Sequence, residues 1–592
     1  MLEYGLIRPA FSTELPNMKK EIISFETLLS SWSAEVTATN FPEAHSAIPS
    51  GVIPSRNEEF GDYQCETAMK LAKELKTNPR AVALTYKKAV HPDFVEKIEI
   101  AGPGFINITL KTTALAAQLE AMLADEKIGV PNLGKNQTVI IDYSSPNVAK
   151  PMHIGHIRST VIGNSLDRLY RALGYNVIAD NHLGDWGTQF GLIILGYREF
   201  ADAEALKTTP VEELERIYVK SYNLSKEDEI WRERAKAELV KLQQGDKENR
   251  ALWETFVELT LNEFDRIYKR LGVSFDLCRG ESFYNDRLSS VIDLLKEKGL
   301  VTESNGALVC DLEADGLNIA IVRKSDGGYN YTTTDIATVM ARTEEFKPAE
   351  IIYVTDERQQ LHFKQFFHIC KKIGVPTRLT HVWFGLMRLP EATFSTREGN
   401  VIKLEALLNE AEARALEIVK ASSPGMDAAQ QHEIARAVGI GAIKYTDLSQ
   451  NPQSLVTFTW EKALAMDGNS GPYLQYAYAR IASVRDKYAE KFPGKNPDEF
   501  PVVLTEEQER RLALKLTRFP AAVEAAAKLA RPSVLADYLF DLSQAYSSFY
   551  QNVPFLKADE GVRESRIRIC TLTATTLKQG LDLLGIETPE RI

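Results

Sequence analysis

The chain is poor in the features that mark several large classes of protein. Its 592 residues hold only five cysteines, Cys65, Cys278, Cys310, Cys370 and Cys570. They are far apart, odd in number and form no CxxC pair. This excludes a disulfide framework and a cysteine-rich zinc site, and it fits a reduced, cytoplasmic setting. No run approaches the roughly 18 apolar residues that span a bilayer, so no membrane segment is expected. A basic excess is missing too: 70 Lys and Arg stand against 81 Asp and Glu, a net charge of −11. That excludes a polycationic nucleic-acid coat, though not a local basic surface. Repeats and low-complexity tracts are absent, and 44% apolar with 26% charged residues leaves neither bulk disorder nor a fibrous class. The opening MLEYGLIRPAFSTELPNMKK has no apolar core and no Arg-rich amphipathic pattern, so it does not read as a targeting peptide. Met18 stands just before the first structured segment, and residues 1–17 are expected to be a loose tail or an upstream-start extension.

What is there is the patterning of a multidomain α/β protein. The length suggests about three to five domains. Residues 1–118 read as an α+β domain. TAMKLAKELKTNPRAVALTYKKAV carries apolar residues at helical spacing, and VEKIEIAGPGFINITL reads as two strands around the turn Gly102–Gly104. A Rossmann-like parallel-sheet domain is expected over 119–404. TVIIDY is a strand, GHIRSTVIGNSLDRLYRALG an amphipathic helix and YNVIADN a second strand, which together make a βαβ unit. IIYVTD, a helix through LHFKQFFHICKKIG, and THVWFGL continue the alternation, while a charged helical insertion occupies about 197–275. Residues 405–460 read as a connecting helical region and 461–592 as an all-α bundle.

The stretch IDYSSPNVAKPMHIGHIRST, residues 141–160, carries the chemistry. A strand ends, a polar loop follows, and a helix starts at His153-Ile154-Gly155-His156. A helix N-terminus offers unpaired N–H groups and the positive end of a dipole, which suits phosphate. Gly155 lets a nucleotide approach the backbone, and the two imidazoles share a helix face and can donate to phosphate oxygens. A lone HxxH is more often a surface or metal-binding pair. Here it lies after a strand at the mouth of a parallel sheet, where ligands bind.

At these residues the chain resembles a known family. HIGH after the first Rossmann strand is the signature of class I aminoacyl-tRNA synthetases, and the longer SSPNVAKPMHIGH is similar to arginyl-tRNA synthetases in particular. GDYQCETAMKLAKEL and AGPGFINITL resemble that family's added N-terminal domain, NHLGDWGTQFG its catalytic core, and GNSGPYLQYAYARI with LLGIETPERI its helical anticodon-binding domain. The resemblance covers nearly the whole chain. It implies ATP-dependent activation of L-arginine to arginyl-adenylate, then transfer to the 3′-terminal ribose of tRNA(Arg). ATP with Mg2+ is the implied substrate complex, and no zinc is expected. Family members need bound tRNA for the first step, and most are monomers.

Arginine recognition has its own requirements. A guanidinium is planar and permanently charged, and it calls for carboxylates helped by a hydroxyl or a ring face. Tyr331 and Asp335 are four apart, so a helix starting there brings them onto one face. By resemblance Tyr331, Asp335 and Asp142 line the guanidinium pocket. Asn147 and Gln359 hold the α-amino end, with Ser145, Pro146 and His156 beside them. Asp142 replaces a Glu expected from some relatives, which keeps the charge and shortens the reach. The Lys-rich KMSKS loop of class I enzymes is degenerate here, reading Phe394-Ser395-Thr396-Arg397-Glu398-Gly399. Ser395 and Thr396 are expected to touch ATP, with Arg397 as a helper. Lys150, just before HIGH, is expected to supply the missing positive charge against pyrophosphate.

No side chain reads as a dedicated general base, so catalysis rests on positioning and charge. In the helical region Tyr473, Tyr476, Tyr478 and Arg480 offer faces on which unstacked anticodon bases can stack. Residues 461–592 hold 18 basic and 18 acidic residues, so the acidic excess lies in the first 460. Two rivals are weighed. A class I synthetase for another amino acid is opposed by scattered cysteines, where a cysteine enzyme would use zinc, and by an acidic pocket, where a glutamate enzyme would be basic. A non-catalytic synthetase-like RNA-binding protein is opposed by the intact HIGH, the pocket carboxylates and Lys150.

Overall fold

The structure is a computed structural model, and it describes residues 22–44, 51–55, 57–388 and 403–592. The chain divides into two compact units, Met1–Pro131 and Asn132–Ile592.

The first unit packs helices on a four-stranded antiparallel sheet. Its strands are Val52–Pro54, Tyr63–Cys65, Phe105–Leu110 and Val95–Ala101, in that spatial order. The expected Gly-Pro-Gly hairpin is present. A side chain at Gly104 would sit 2.9 Å from the Pro79 carbonyl oxygen, so the turn needs its glycine. The stretch over residues 67–90 with apolar residues at helical spacing folds as two helices, Thr67–Glu74 and Pro79–Lys88. Asn78 caps the second by accepting from the Arg80 N–H, and Pro79 follows at the first helical position, which stops the preceding helix.

The second unit is built on a five-stranded parallel sheet. Its elements are β1 (Thr138–Asp142), α1 (Ile154–Ala172), β2 (Asn176–Asn181), α2 (Pro210–Glu227), α3 (Lys247–Leu271), β3 (Leu277–Cys278), α4 (Tyr331–Phe346), β4 (Glu350–Asp356), α5 (Gln360–Ile373) and β5 (Arg378–Phe384). The strand order is β5-β4-β1-β2-β3, every pair parallel. The chain winds outward from β1 through β2 to β3, then returns to the other side for β4 and β5. The switch point therefore lies between β1 and β4, at the carboxyl end of the sheet. Helices including α2, Glu229–Gln243 and α3 form the insertion between β2 and β3. A three-stranded antiparallel sheet of Thr302–Ser304, Ala307–Cys310 and Ala320–Arg323 precedes α4, an element the sequence patterning did not reveal. From Leu404 onward the described structure is almost wholly helical. No helix among the described residues is long and apolar enough to cross a membrane.

The helix α1 departs from expectation. It is not amphipathic: 13 of its 19 residues are buried, among them Arg158, Ser159, Thr160, Asn164, Ser165 and Asp167. Gly163 lies so close to Tyr143 that a Cβ there would stand 2.2 Å from the Tyr143 ring. The polar groups are all used. Arg158 donates to Asp447 at 2.9 Å and to the carbonyls of Gly385 (2.6 Å) and Pro452 (3.2 Å). Ser165 donates to the Leu583 carbonyl at 3.0 Å. The helix thus joins the sheet to the C-terminal helices.

Lys444 sits at the same junction, 2% exposed. Its ammonium donates to the carbonyls of Leu271, the last residue of α3, and of Gly585, just past the helix Val562–Leu583. One cation so serves the negative ends of two helices. Burial lowers its pKa to about 7. An unfolded lysine titrates near 10.4, about three units higher, so between these values the unfolded chain binds the extra proton and stability rises with pH. The stability advantage over Lys444→Met in urea unfolding should therefore grow from pH 7 to pH 9, by about 1 kcal/mol per pH unit. A pH-independent difference would show that the amine is not held in this state.

Candidate active site

The loop that leads from β1 to α1 is held in an unusual backbone conformation. Ser144, Ser145 and Ala149 all have positive φ, at 71°, 47° and 62°. Non-glycine residues adopt this region at a cost, so the surroundings must impose it. They do. The Ser144 N–H donates to Ser159 Oγ (2.9 Å), the Ser145 N–H to Asn181 Oδ1 (3.0 Å), and the Ala149 N–H to Thr260 Oγ1 (3.1 Å). The Ser144 hydroxyl meets Thr160 Oγ1 and the Tyr268 hydroxyl, both at 2.8 Å. Side chains from α1, β2 and the insertion helix α3 clamp one loop.

Asn147 and Pro146 are zipped to the segment after β2. The Gly184 N–H donates to the Pro146 carbonyl and the Val148 N–H to the Gly184 carbonyl. A Cβ on Gly184 would strike the Asn147 amide oxygen at 2.1 Å, so that glycine sets where the exposed Asn147 side chain stands.

The start of α1 is closed by its own histidines. His153 is the N-cap residue, and its Nδ1 accepts from the Gly155 N–H at 3.0 Å. His156 reaches back, its Nδ1 accepting from the His153 N–H at 3.1 Å. The rings lie 3.9 Å apart at 32°. A nitrogen that accepts from a backbone N–H carries no proton, so in each neutral ring the proton is on Nε2. Burial favours this state: it lowers the pKa of both, His156 to about 3, and the charge of Lys150 acts in the same direction. The pair therefore offers two neutral Nε2–H donors at the helix N-terminus, as phosphate recognition requires. Arg358 also acts on His153 and is a cation the sequence reading missed. It lies in the turn Glu357–Gln359 after β4, where its guanidinium is paired with Asp356 at 2.7 Å. Gln359 is its exposed neighbour.

The acidic side of the site is carried by α4, which begins at Tyr331 as expected and places Tyr331 and Asp335 one turn apart. Asp335 meets His362 Nε2 at 2.5 Å. Glu281 faces the same group and was not foreseen. Burial pushes its pKa up to about 8, with Asp335 and then Asp185 adding to the shift. Asp185 fixes this segment by accepting from the Ser282 N–H (2.9 Å) and hydroxyl (2.6 Å). Among the described residues no arginine or lysine pairs with Glu281 or Asp335.

Asp142 is placed otherwise than expected. It is 4% exposed, and its oxygens accept from Arg342 (2.7 Å) and from Ser145 (2.9 Å). Arg342 also pairs with the wholly buried Asp180 at 2.8 Å. The carboxylate is thus engaged by the chain's own guanidinium. It anchors α4, seven residues on from Asp335, to the ends of β1 and β2, and it orients Ser145. The degenerate loop with Ser395, Thr396 and Arg397 lies outside the described residues.

In the C-terminal helices, Tyr478 is buried and belongs to the core. Tyr473 is half-buried beside Gln544 and Ser547. Tyr476 and Arg480 share a partly open face of the helix Gly471–Lys491, with the guanidinium 4.8 Å from the Tyr476 ring and 5.5 Å from that of Tyr550. The face runs into a groove of about 540 Å³ lined by Lys487, Tyr550, Phe555 and Lys557.

Gly155 gives this geometry a direct test. It is exposed, yet a Cβ there would stand 2.7 Å from His153 Cε1. Gly155→Ala should leave the fold intact and displace the His153 ring. ATP–pyrophosphate exchange should then fall by about 100-fold, the scale of a misplaced binding group; an unchanged rate would contradict the capping geometry.

Comparison with known proteins accounts for nearly the whole chain. Residues 118–460 match the family model described as the class I (R) tRNA synthetase catalytic domain, 474–592 the DALR anticodon binding domain, and 28–110 the arginyl tRNA synthetase N-terminal domain. The arginine–tRNA ligase of Fusobacterium nucleatum is 45% identical over 540 residues, covering 91% of this chain and 94% of that protein. That of Hahella chejuensis is 42% identical over 574 residues, covering 95% and 98%. Among solved structures, the arginyl-tRNA synthetase of Plasmodium falciparum superposes with a TM-score of 0.83 at 28% identity, covering 97% of this chain and all of that one. The Thermus thermophilus arginyl-tRNA synthetase gives 0.82 at 26%, covering 96% and 100%. Three family models in order along the chain, with relatives 42–45% identical over more than nine-tenths of it, make this protein a member of the arginyl-tRNA synthetases, class I ligases that use ATP to charge tRNA with arginine.

Proposed function

We propose the following division of labour among the residues of this arginine–tRNA ligase. Asp335 and Glu281 accept from the arginine guanidinium, with the Tyr331 ring alongside. Asn147, Gln359 and Ser145 hold the α-amino end, Pro146 shapes the loop, and His156 faces both substrates. Asp142 supports from beneath by anchoring α4. His153 and His156 donate Nε2–H to ATP phosphates across the open backbone of Gly155, and Lys150 supplies charge. Ser395, Thr396 and Arg397 complete the phosphate site. Mg2+ enters with ATP as the substrate complex. Among the described residues no group of three or more His, Cys, Asp or Glu is placed to hold a metal.

The reaction then needs no protein nucleophile. The arginine carboxylate attacks the α-phosphorus in line, and pyrophosphate leaves. The terminal ribose hydroxyl of tRNA next attacks the adenylate carbonyl, and AMP leaves. Fixed donors and cations meet the negative charge that develops on the phosphates. We assign residues 1–118 to tRNA binding, 119–404 to catalysis with the insertion at about 197–275, 405–460 to a connecting region and 461–592 to the anticodon. Tyr473, Tyr476 and Arg480 read the anticodon loop by stacking, and bound tRNA is needed for the first step. The enzyme acts as a cytoplasmic monomer.

The observation that carries the arginine reading is the pair Glu281 and Asp335, two electrostatically coupled acidic side chains with no internal arginine or lysine among the described residues, Asp335 meeting His362. Burial first and the charge of Asp335 second disfavour the ionised form of Glu281, and a permanently charged planar cation offsets both. Asp335→Asn should raise the KM for arginine by at least 30-fold, corresponding to the roughly 2–5 kcal/mol of a broken buried charge pair, with the KM for ATP little changed. Equal effects on both would remove Asp335 from the pocket.

A further inference from the structure

The helical insertion between β2 and β3 has no part in the chemistry described so far, yet α2 runs beside the phosphate end of the site. Three contacts place it there. The ammonium of Lys150 stands 4.9 Å from the centroid of the Tyr218 ring. Lys403, which forms an antiparallel backbone bridge with His153, pairs through Nζ with Glu212 at 3.1 Å. Glu215, between Glu212 and Tyr218, lies within the electrostatic reach of both Lys403 and Lys150. Glu212, Glu215 and Tyr218 are three apart in turn, so they follow one side of the helix.

The platform is rigid. Tyr218 stacks on Tyr222 with centroids 5.9 Å apart at 20°. The other side of α2 is buried through Val211, Leu214, Ile217 and Ser221. Glu213 is fixed by Arg216 and by the Asp202 N–H, and Ser221 receives the Trp231 indole N–H at 3.0 Å. On the loop side, Ala149 is locked in the left-handed region by Thr260. The backbone before Lys150 and the ring under its ammonium are therefore both set by insertion helices. A long, flexible lysine side chain loses much rotamer entropy when it is confined, and a rigid aromatic face lowers that cost at the moment of reaction.

We propose that Tyr218 is a positioning residue for adenylate formation, a ring presented by the insertion that holds the Lys150 ammonium beside the His153–His156 pair. The Glu212–Lys403 pair ties the same helix to the residue that bridges His153. This rests on the reading above in which Lys150 meets the ATP phosphates. The insertion then contributes to the first chemical step through one cation and touches no substrate itself.

A double-mutant cycle tests this, with the full-length enzyme, arginine and tRNA(Arg) in ATP–pyrophosphate exchange. Lys150→Met should lower kcat/KM for ATP by about 100-fold, as loss of a charge-stabilising group does. Tyr218→Ala should lower it by about five- to tenfold, the scale of a cation–π contact, with the KM for arginine unchanged. Tyr218→Phe, which keeps the ring, should restore it. In the Lys150→Met background Tyr218→Ala should have no further effect, because its action passes through the lysine. Additive losses, or failure of Tyr218→Phe to restore activity, would overturn the positioning role and make the ring structural. A slow Lys150→Met beside a fully active Tyr218→Ala would overturn the positioning role alone. A fully active Lys150→Met would overturn the assignment of the lysine and the proposal with it.

Discussion

The N-terminus of α1 must be closed without consuming the groups that bind substrate, and two imidazoles meet that constraint. A helix start leaves several N–H groups unpaired, and an Asp cap would satisfy them with a carboxylate that has no proton to donate. Histidine has a nitrogen for each task. The Nδ1 atoms of His153 and His156 cap the backbone, and their Nε2–H groups remain free to donate. The arrangement holds only while both rings are neutral, and burial with the nearby Lys150 charge keeps them so. Gly155 then becomes obligatory, since any larger residue pushes on the capping ring.

The body of α1 carries this end to the rest of the unit. Ser159 receives the Ser144 N–H and donates to the Val354 carbonyl at 2.6 Å, so one hydroxyl fixes the loop after β1 against β4. Arg158 binds Asp447 and the chain on either side of the 389–402 segment, at Gly385 and Pro452. A buried pair of this kind is weak evidence for stability, because desolvation offsets its attraction, but breaking it leaves a buried charge. Its clearer consequence is geometric: the helix capped by His153 and His156 is locked to the helices that follow the catalytic domain.

Much of this is legible in the sequence because it is local. The strands TVIIDY, YNVIADN, IIYVTD and THVWFGL are short apolar runs between helices, and the helical face shared by Tyr331 and Asp335 follows from their spacing alone. What the sequence hides is non-local. Asp142 meets Arg342 across 200 positions, so its reassignment from pocket to anchor could not be read from either neighbourhood. Glu281 follows a glycine, and only the fold sets it facing Asp335. The three-stranded sheet over 302–323 has strands of only three or four residues whose partners are each other, too short for their pattern to stand out from loop. The cation set around the histidines includes Arg358 and the backbone bridge at Lys403, both distant in sequence and brought in by β4 and the start of the following helix.

The same view explains the net charge. The acidic excess lies outside the neutral last 132 residues, and it includes Glu281 and Asp335, the carboxyl groups proposed to receive a cationic amino acid. The account depends most on the charge state of two rings, and that can be seen directly. Long-range proton–nitrogen correlation spectra of enzyme labelled with 15N-histidine, assigned through His153→Asn and His156→Asn, report tautomer and charge for each. Both rings should appear as the neutral Nε2–H form at pH 7, and His156 should remain so at pH 5.5; a ring that is the imidazolium, or that carries its proton on Nδ1, at pH 7 would contradict the cap.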